Sequence, residues 1–380
     1  MQHALSKLPN TGTTIFSQMS ELATHHNAIN LSQGFPDFDG PSCLLKRVDH
    51  YIKQGNNQYA PMIGIASLRQ GINAKLQRCY DFQADPDSQI TITSGATEAL
   101  FVTISALVHV GDEVIVFDPA YDSYDPAIRL SGGCPIHVPL LPPNFEMDWD
   151  RIRNAVTSKT RMIIINSPHN PTCQTLTSRD LNELYELAEK HDLLVLSDEV
   201  YEHIVFDGQA HQSVLRHKAL AERSVVVSSF GKTYHTTGWK IGYCIAPSHL
   251  MAEIRKVHQY VTFSVSTPMQ YAIADFLQET PEHDQQLPAF YQRKRDHFNR
   301  AMSSSRFEFT ATSGTYFQLM NYRAIQDTTD TEFALWLIEH AGVAAIPISV
   351  FYQTPPTDMR LIRFCFAKQD ARSTAQPRNW

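Results

Sequence analysis

The chain has little of what marks the specialised protein classes. Its 380 residues hold six cysteines and no C-x-x-C pair, a pattern that argues against a disulfide frame and for reduced thiols. Lysine and arginine number 32 against 39 acidic residues, a formal net charge of -7, and form no basic block. A nucleic-acid or anionic membrane partner is therefore not expected. No uninterrupted apolar stretch reaches the length of a bilayer span, and MQHALSKLPNTGTTIF has no apolar signal-peptide core, so a cytoplasmic placement is expected. The seventeen histidines show no H-E-x-x-H or comparable spacing, and no metal site is expected. Both G-x-x-x-x-G-K-[ST] and G-x-G-x-x-G are missing as well, which leaves no nucleotide or dinucleotide loop.

What is present is a rhythm. From about residue 88 short β-branched runs alternate with longer helical patterns: SQITITSG, ATEALFVTISALV, DEVIVFDPAY, RMIIINSP, SRDLNELYELAEKHD, LLVLSDEVY and RSVVVSSF. Such alternation predicts βα units that build a mostly parallel sheet covered by helices. Ligands in sheets of this kind sit beyond the carboxyl ends of the strands. Those ends carry Ser94-Gly95-Ala96-Thr97, Asp118-Pro119-Ala120-Tyr121, Asn166 to Asn170, Ser197 to Tyr201, and Ser228 to Lys232. Before residue 40 and after about 280 the rhythm changes, and FEFTATSGTYFQLMN, TEFALWLIEHAG and MRLIRFCFAK predict a small α/β layer with antiparallel strands. The expected division is a large unit over 42–280 and a small one made of 1–41 together with 281–380.

The charges at the strand ends suggest a chemistry. SGATEA opens a helix directly after a strand, so the free N–H groups of Gly95, Ala96 and Thr97 form an anion site suited to a single phosphate, to which Ser229 can add a hydroxyl and Lys240 a cation. Lys232, held near a second cation and away from water, should have a lowered pKa, which makes it a candidate Schiff-base nucleophile. A buried Asp198 needs a cationic partner, and a protonated pyridine nitrogen would supply one. Asn170 and Tyr201 can donate to a phenolate oxygen, and Tyr121 offers a face for an aromatic ring. Phosphate, pyridine, phenolate and aldehyde together describe pyridoxal 5′-phosphate.

The motifs LSQGFPDF, NNQYAPMIG, SGATEA, FDPAYDSY, NSPHNPT, SDEVYEH, SSFGKTYHTTGWKIGY and RFCFAK, in this order along the chain, resemble the fold type I pyridoxal-phosphate aminotransferases of classes I and II. They are most similar to the bacterial methionine aminotransferase group and the related kynurenine aminotransferases. The resemblance implies that Lys232 binds the cofactor and shuttles protons, that Asp198 faces the pyridine, and that Asn170 and Tyr201 face its phenolate oxygen. It further implies Tyr121 as the stacking ring, with Ala96, Thr97, Ser229 and Lys240 on the phosphate. Tyr59 in NNQYAP resembles a tyrosine that reaches the phosphate from a partner subunit, which implies a homodimer with shared sites. Arg363 matches the arginine for the substrate carboxylate, and Gly34 a position where backbone approaches that carboxylate closely.

The resemblance implies transamination of methionine and aromatic or hydrophobic amino acids with a 2-oxo acid acceptor, amid apolar surroundings that include Phe35, Tyr124 and Phe263. A cysteine-conjugate β-lyase would share every cofactor residue and differ only in its substrate. A decarboxylase of the same fold is disfavoured because Arg363 holds the carboxylate. A cofactor-binding regulator would need a DNA-binding unit, and only a short, non-basic segment precedes the motifs. The chain departs from the family pattern in two places. Cys173 stands where N-P-T-G has glycine, so the turn must tolerate a Cβ. ARSTAQPRNW replaces an amphipathic helix, so an irregular ending after about residue 370 is expected.

Overall fold

Runs of β-branched residues with no polar alternation can form strands only where both faces of a sheet are covered. RMIIIN does so in the computed structural model, which describes residues 5–9 and 11–370. Strand β5 (Thr160–Asn166) is buried along nearly its whole length. Ile163 and Ile165 face one core, with Ile115, Val195 and Val226. Met162 and Ile164 face the other, with Val114, Leu196 and Val227. The period-2 alternation thus sorts one apolar run onto two helical layers.

β1 (Ile29–Asn30) pairs in parallel with β10 (Val343–Ala344), a segment from the far end of the chain. The main sheet has seven strands: β2 (Ile90–Thr93), β3 (Glu113–Asp118), β4 (Cys134–Pro139), β5, β6 (Leu194–Asp198), β7 (Ser224–Ser229) and β8 (Gly242–Ile245). Their order is β2-β8-β7-β6-β5-β3-β4, and only β8 runs antiparallel to its neighbours. The carboxyl ends of the other six strands therefore share one edge with the start of β8. That reversal brings Lys240, just before β8, to the edge where Ser94 follows β2 and Ser229 ends β7.

Helices α1 (Ile15–His25), α2 (Ser42–Lys53), α3 (Ala66–Tyr80), α4 (Gly95–Leu107) and α5 (Tyr124–Leu130) lead or follow these strands. α4 buries Ala99, Leu100, Val102, Thr103, Ile104 and Leu107, as expected of a helix apolar on most of its faces. The helix Ser178–His191 instead buries only the stripe Leu181, Leu184, Leu187 and Ala188. A capping box between Thr177 and Asp180 satisfies the free N–H groups at its start.

A second, three-stranded antiparallel sheet has the order β11-β12-β9, formed by β11 (Ile346–Pro347), β12 (Leu361–Cys365) and β9 (Phe317–Asn321). Its aromatic core includes Tyr316, Phe317, Phe333 and Phe364, and Leu31 and Tyr201 join it from the other parts of the chain. The expectation for ARSTAQPRNW lies outside the described residues. No helix among the described residues is long and apolar enough to cross a membrane.

Candidate active site

A cavity of about 180 Å³ opens at the carboxyl edge of the main sheet. Gly95, Ala96, Thr97, Tyr121, Asn170, Asp198, Tyr201, Ser229, Lys232 and Lys240 all line it, although they come from six separate strand ends and loops. Its floor is the start of α4. Gly95 is in the left-handed region (φ 75°), and a Cβ there would lie 3.3 Å from Lys240 Cε. Gly242 is held closer still, since a Cβ on it would come 2.7 Å from the carbonyl carbon of Gly95. These two glycines let the first turn of α4, the lysine side chain and β8 meet at the cup. Ser229 completes it, its Oγ accepting the Gly231 N–H at 3.1 Å.

Asp198 ends β6 with 3% of its surface exposed. The Tyr124 hydroxyl donates to its Oδ2 at 2.7 Å and the Val200 N–H to its Oδ1 at 3.3 Å. Burial raises the carboxyl from its ordinary value to about 6, even though both of those donors pull it down. Among the described residues Asp198 has no ion-pair partner. Asn166 braces the neighbouring loop: its Nδ2 donates to the Asp198 carbonyl at 2.9 Å, and its Oδ1 accepts the Asn170 N–H at 2.7 Å.

Lys232 Nζ donates to the Gly34 carbonyl at 2.9 Å and stands over the rings of Tyr201 and Tyr316. Burial lowers this amine to about 8, and the charges of Arg363 and Lys240 add to the effect. Arg363, in the middle strand of the small sheet, is only 1% exposed. Its guanidinium lies 3.8 Å from the centre of the Phe317 ring, donates to Asn170 Oδ1, and donates to the Ser32 carbonyl at 3.2 Å. Its Nε is buried without a partner. Tyr316 ties the two sides together by donating to the same Gly34 carbonyl at 2.5 Å.

Other expected site residues do not line this cavity. Tyr59 is 83% exposed and packs edge-on against Phe263, with ring centroids 5.5 Å apart. Phe35 and Phe263 are exposed as well. Tyr124, expected among the apolar surroundings of a substrate, is buried and bonded to Asp198, so its hydroxyl serves the carboxylate. Cys173 has φ 67°, so the turn keeps the left-handed backbone that favours glycine and carries its Cβ there. Sequence reasoning missed the roles of Asn166, Tyr316 and Phe317. Asn166 stood in plain view at a strand end, whereas nothing local in SGTYF signals contact with Gly34 or Arg363.

The donor set asks for a particular ligand. The start of α4, Ser229 and Lys240 suit a phosphate. The unpaired buried Asp198 suits a protonated ring nitrogen, and Tyr121 suits a flat ring. Lys232, an amine held well below its ordinary value by burial, suits an aldehyde. The unpartnered Nε of Arg363 leaves a donor for a second anion. A phosphorylated pyridine aldehyde together with a carboxylate substrate fits these residues.

Comparison with known proteins agrees. The family model for "Aminotransferase class I and II" matches residues 26–375. A methionine aminotransferase of Escherichia coli is 55% identical over 366 residues, covering 96% of this chain and 95% of that protein. The human kynurenine–oxoglutarate transaminase 1 is 31% identical, covering 92% and 91%. Among solved structures, an Escherichia coli protein described as having a methionine aminotransferase function superposes with a TM-score of 0.97 at 54% identity, covering 99% of this chain and 98% of that one. The N-succinyldiaminopimelate aminotransferase of Mycobacterium tuberculosis gives 0.95 at 38% identity, covering 98% of each chain. The chain belongs to the class I and II aminotransferases, enzymes that work with pyridoxal 5′-phosphate.

Proposed function

We propose that this enzyme transaminates methionine and aromatic or hydrophobic L-amino acids, with a 2-oxo acid as acceptor. The observation that carries the reading is that Lys232, lowered to about 8, lines the cavity while the buried fork of Arg363 meets it through Asn170, another lining residue. A planar guanidinium grips an α-carboxylate through paired hydrogen bonds and sets the Cα–H bond toward the lysine. When bound, pyridoxal 5′-phosphate supplies an aldehyde for the amino group and a ring that draws electrons from Cα. Lys232 Nζ would take the proton from Cα and return it on the other side of the amino nitrogen. Asp198 keeps a proton on the ring nitrogen, and Tyr124 orients its carboxylate. Asn170 and Tyr201 serve the phenolate oxygen, while the start of α4, Ser229 and Lys240 hold the phosphate. Gly34 faces the carboxylate end beside Tyr316. The likeness to methionine and kynurenine aminotransferases supports the substrate class.

The reading includes a cytoplasmic homodimer, divided into a cofactor-holding unit over 42–280 and a covering unit of 1–41 with 281–380. Exposure of Tyr59 beside Phe263, with Tyr260 87% exposed nearby in the chain, supports a partner subunit at this surface. The test of the substrate class mixes the holoenzyme with each amino acid in turn and follows the loss of the cofactor's visible absorbance together with the 2-oxo acid formed. Methionine and phenylalanine are expected to react fastest; a preference for aspartate over both would overturn the assignment. Shared sites have a separate check. Mixing Lys232→Ala with Tyr59→Phe protomers is expected to restore activity through one intact site per hybrid dimer. No recovery on mixing would remove Tyr59 from the partner's site.

A further inference from the structure

The turn from Asp118 to Asp125 carries Tyr121 into the cavity and Tyr124 to Asp198. Both ends of this turn meet one side chain from the neighbouring edge strand β4. His137 Nδ1 lies 2.7 Å from Asp118 Oδ1, and Nε2 lies 3.0 Å from Asp125 Oδ2. An ionised carboxylate only accepts hydrogen bonds, so both ring nitrogens must carry protons and the ring is an imidazolium. The other oxygen of Asp118 accepts the Gln353 N–H at 2.8 Å, and the Ala120 N–H donates to the Phe351 carbonyl at 2.8 Å. The segment around 349–353 is thereby fastened to the same turn.

We propose that His137 is a positioning residue, an imidazolium clamp that joins the two ends of the Asp118–Asp125 turn and so holds Tyr121 and Tyr124 in place for the cofactor. The inference rests on the cofactor reading above but not on the identity of the amino acid.

The groups around the ring agree with its charge. Asp118 reaches it from the end of β3, and Asp125 from α5. Arg129, one turn further along α5 and exposed, forks onto both oxygens of Asp125 and shares Oδ2 with His137. Tyr352 sits beyond Asp118, its phenol pushed up by burial and by that carboxylate. Asp122 lines the same 610 Å³ outer cavity as His137 and Tyr121. Burial opposes charge on His137, but the hydrogen bonds and fields of Asp118 and Asp125 outweigh it and raise the ring from 6.5 to about 9. Since the folded value lies above the unfolded one, the clamp is fully present below about 6.5 and is lost as pH rises through about 9.

The test is the rate at which the holoenzyme releases pyridoxal 5′-phosphate into a phosphatase trap, with no amino acid present. At pH 7.5 His137→Gln, which has no positive charge, should release the cofactor about tenfold faster than wild type, whereas His137→Arg should stay within about twofold. Between about pH 8 and 10 the wild type should accelerate more than His137→Arg, because the guanidinium keeps its charge across that range. Equal release by His137→Gln and wild type at pH 7.5, or identical alkaline acceleration in wild type and His137→Arg, would overturn the clamp. If His137→Gln does not fold, the second comparison decides alone. Failure of methionine turnover with these release rates as expected would strike the substrate assignment and leave the clamp standing.

Discussion

The two walls of the site are made differently: one lines the cavity, and the other meets it through Asn170 and Lys232. On the cofactor side, Gly95, Ala96, Thr97, Asp198, Ser229, Lys232 and Lys240 all belong to strand ends or loops at one edge of the seven-stranded sheet. Once the sheet forms, its hydrogen-bond ladder places these residues within short reach of each other. On the other side Ser32 and Gly34, from the extended LSQGF segment, meet Tyr316, Phe317 and Arg363, from a small sheet hundreds of residues later. The first wall is positioned by strand register, the second by the packing of the small sheet against the LSQGF segment. Substitutions on the first wall should disturb the cofactor, and those on the second the substrate.

The largest effect expected is on the one residue that serves both walls. Lys232→Ala should lower kcat by about 10⁴-fold or more, because no other amine replaces the proton carrier. Cofactor should remain, loosely bound, since the α4 start, Ser229 and Lys240 are untouched. Single-turnover assays and a cofactor absorbance titration measure the two separately. Wild-type transamination in this variant would remove Lys232 from proton transfer.

Arg363→Lys tests the wall built by packing. A single ammonium cannot reproduce the guanidinium fork, so kcat/KM should fall by the equivalent of about 2–4 kcal/mol for methionine and phenylalanine alike, with cofactor affinity unchanged. Values within about threefold of wild type, roughly 0.65 kcal/mol, would show that the carboxylate is gripped elsewhere.

Tyr124→Phe tests the sheet-built wall. Loss of a hydrogen bond to a charged group costs about 1.5–3 kcal/mol. Tyr124 is one of the donors that hold Asp198 down, so its removal should push the carboxyl further above about 6. Cofactor affinity should drop about tenfold or more at neutral pH, and the loss should deepen as pH falls through the Asp198 value. Equilibrium titration with pyridoxal 5′-phosphate across pH is the measurement. An unchanged Kd at every pH would mean that the Tyr124 hydroxyl contributes nothing to the ring partner.

The smallest effect belongs to Cys173→Gly, at a residue whose carbonyl accepts from Thr312, Ser313 and Gly314. Glycine relieves the left-handed backbone at φ 67°, worth about 1–2 kcal/mol, but gives up a buried thiol and gains chain entropy when unfolded. These terms oppose each other, and the net change in stability should be within about 1 kcal/mol. A shift of the thermal midpoint by more than a few degrees in either direction would show that one term dominates.

Much of the first wall was legible in the chain because each of its residues is adjacent to an apolar run that can only be a buried strand. Asp198 follows LLVLS, and Lys232 follows VVVSSFG. Such local patterns reveal residue type and strand end together. Tyr124 was misplaced for the complementary reason: YDSY names its residues, but whether a tyrosine faces the substrate or the carboxylate behind it depends on how α5 begins. His137 had no signal at all, since a lone histidine in CPIHVP acquires meaning only from two aspartates on neighbouring elements.

By itself, then, the sequence determined the alternation of strands and helices, the edge at which the polar residues gather, and the chemical character of the cofactor wall, because periodicity and local order survive without any knowledge of neighbours. The tertiary structure alone decided which carbonyl receives Lys232, which ring lies against Arg363, how Cys173 is accommodated, and that His137 binds both ends of the Tyr121 turn. Each of these depends on contacts between residues far apart in the chain, whose distances are set by packing and burial and leave no periodic trace in the order of the amino acids.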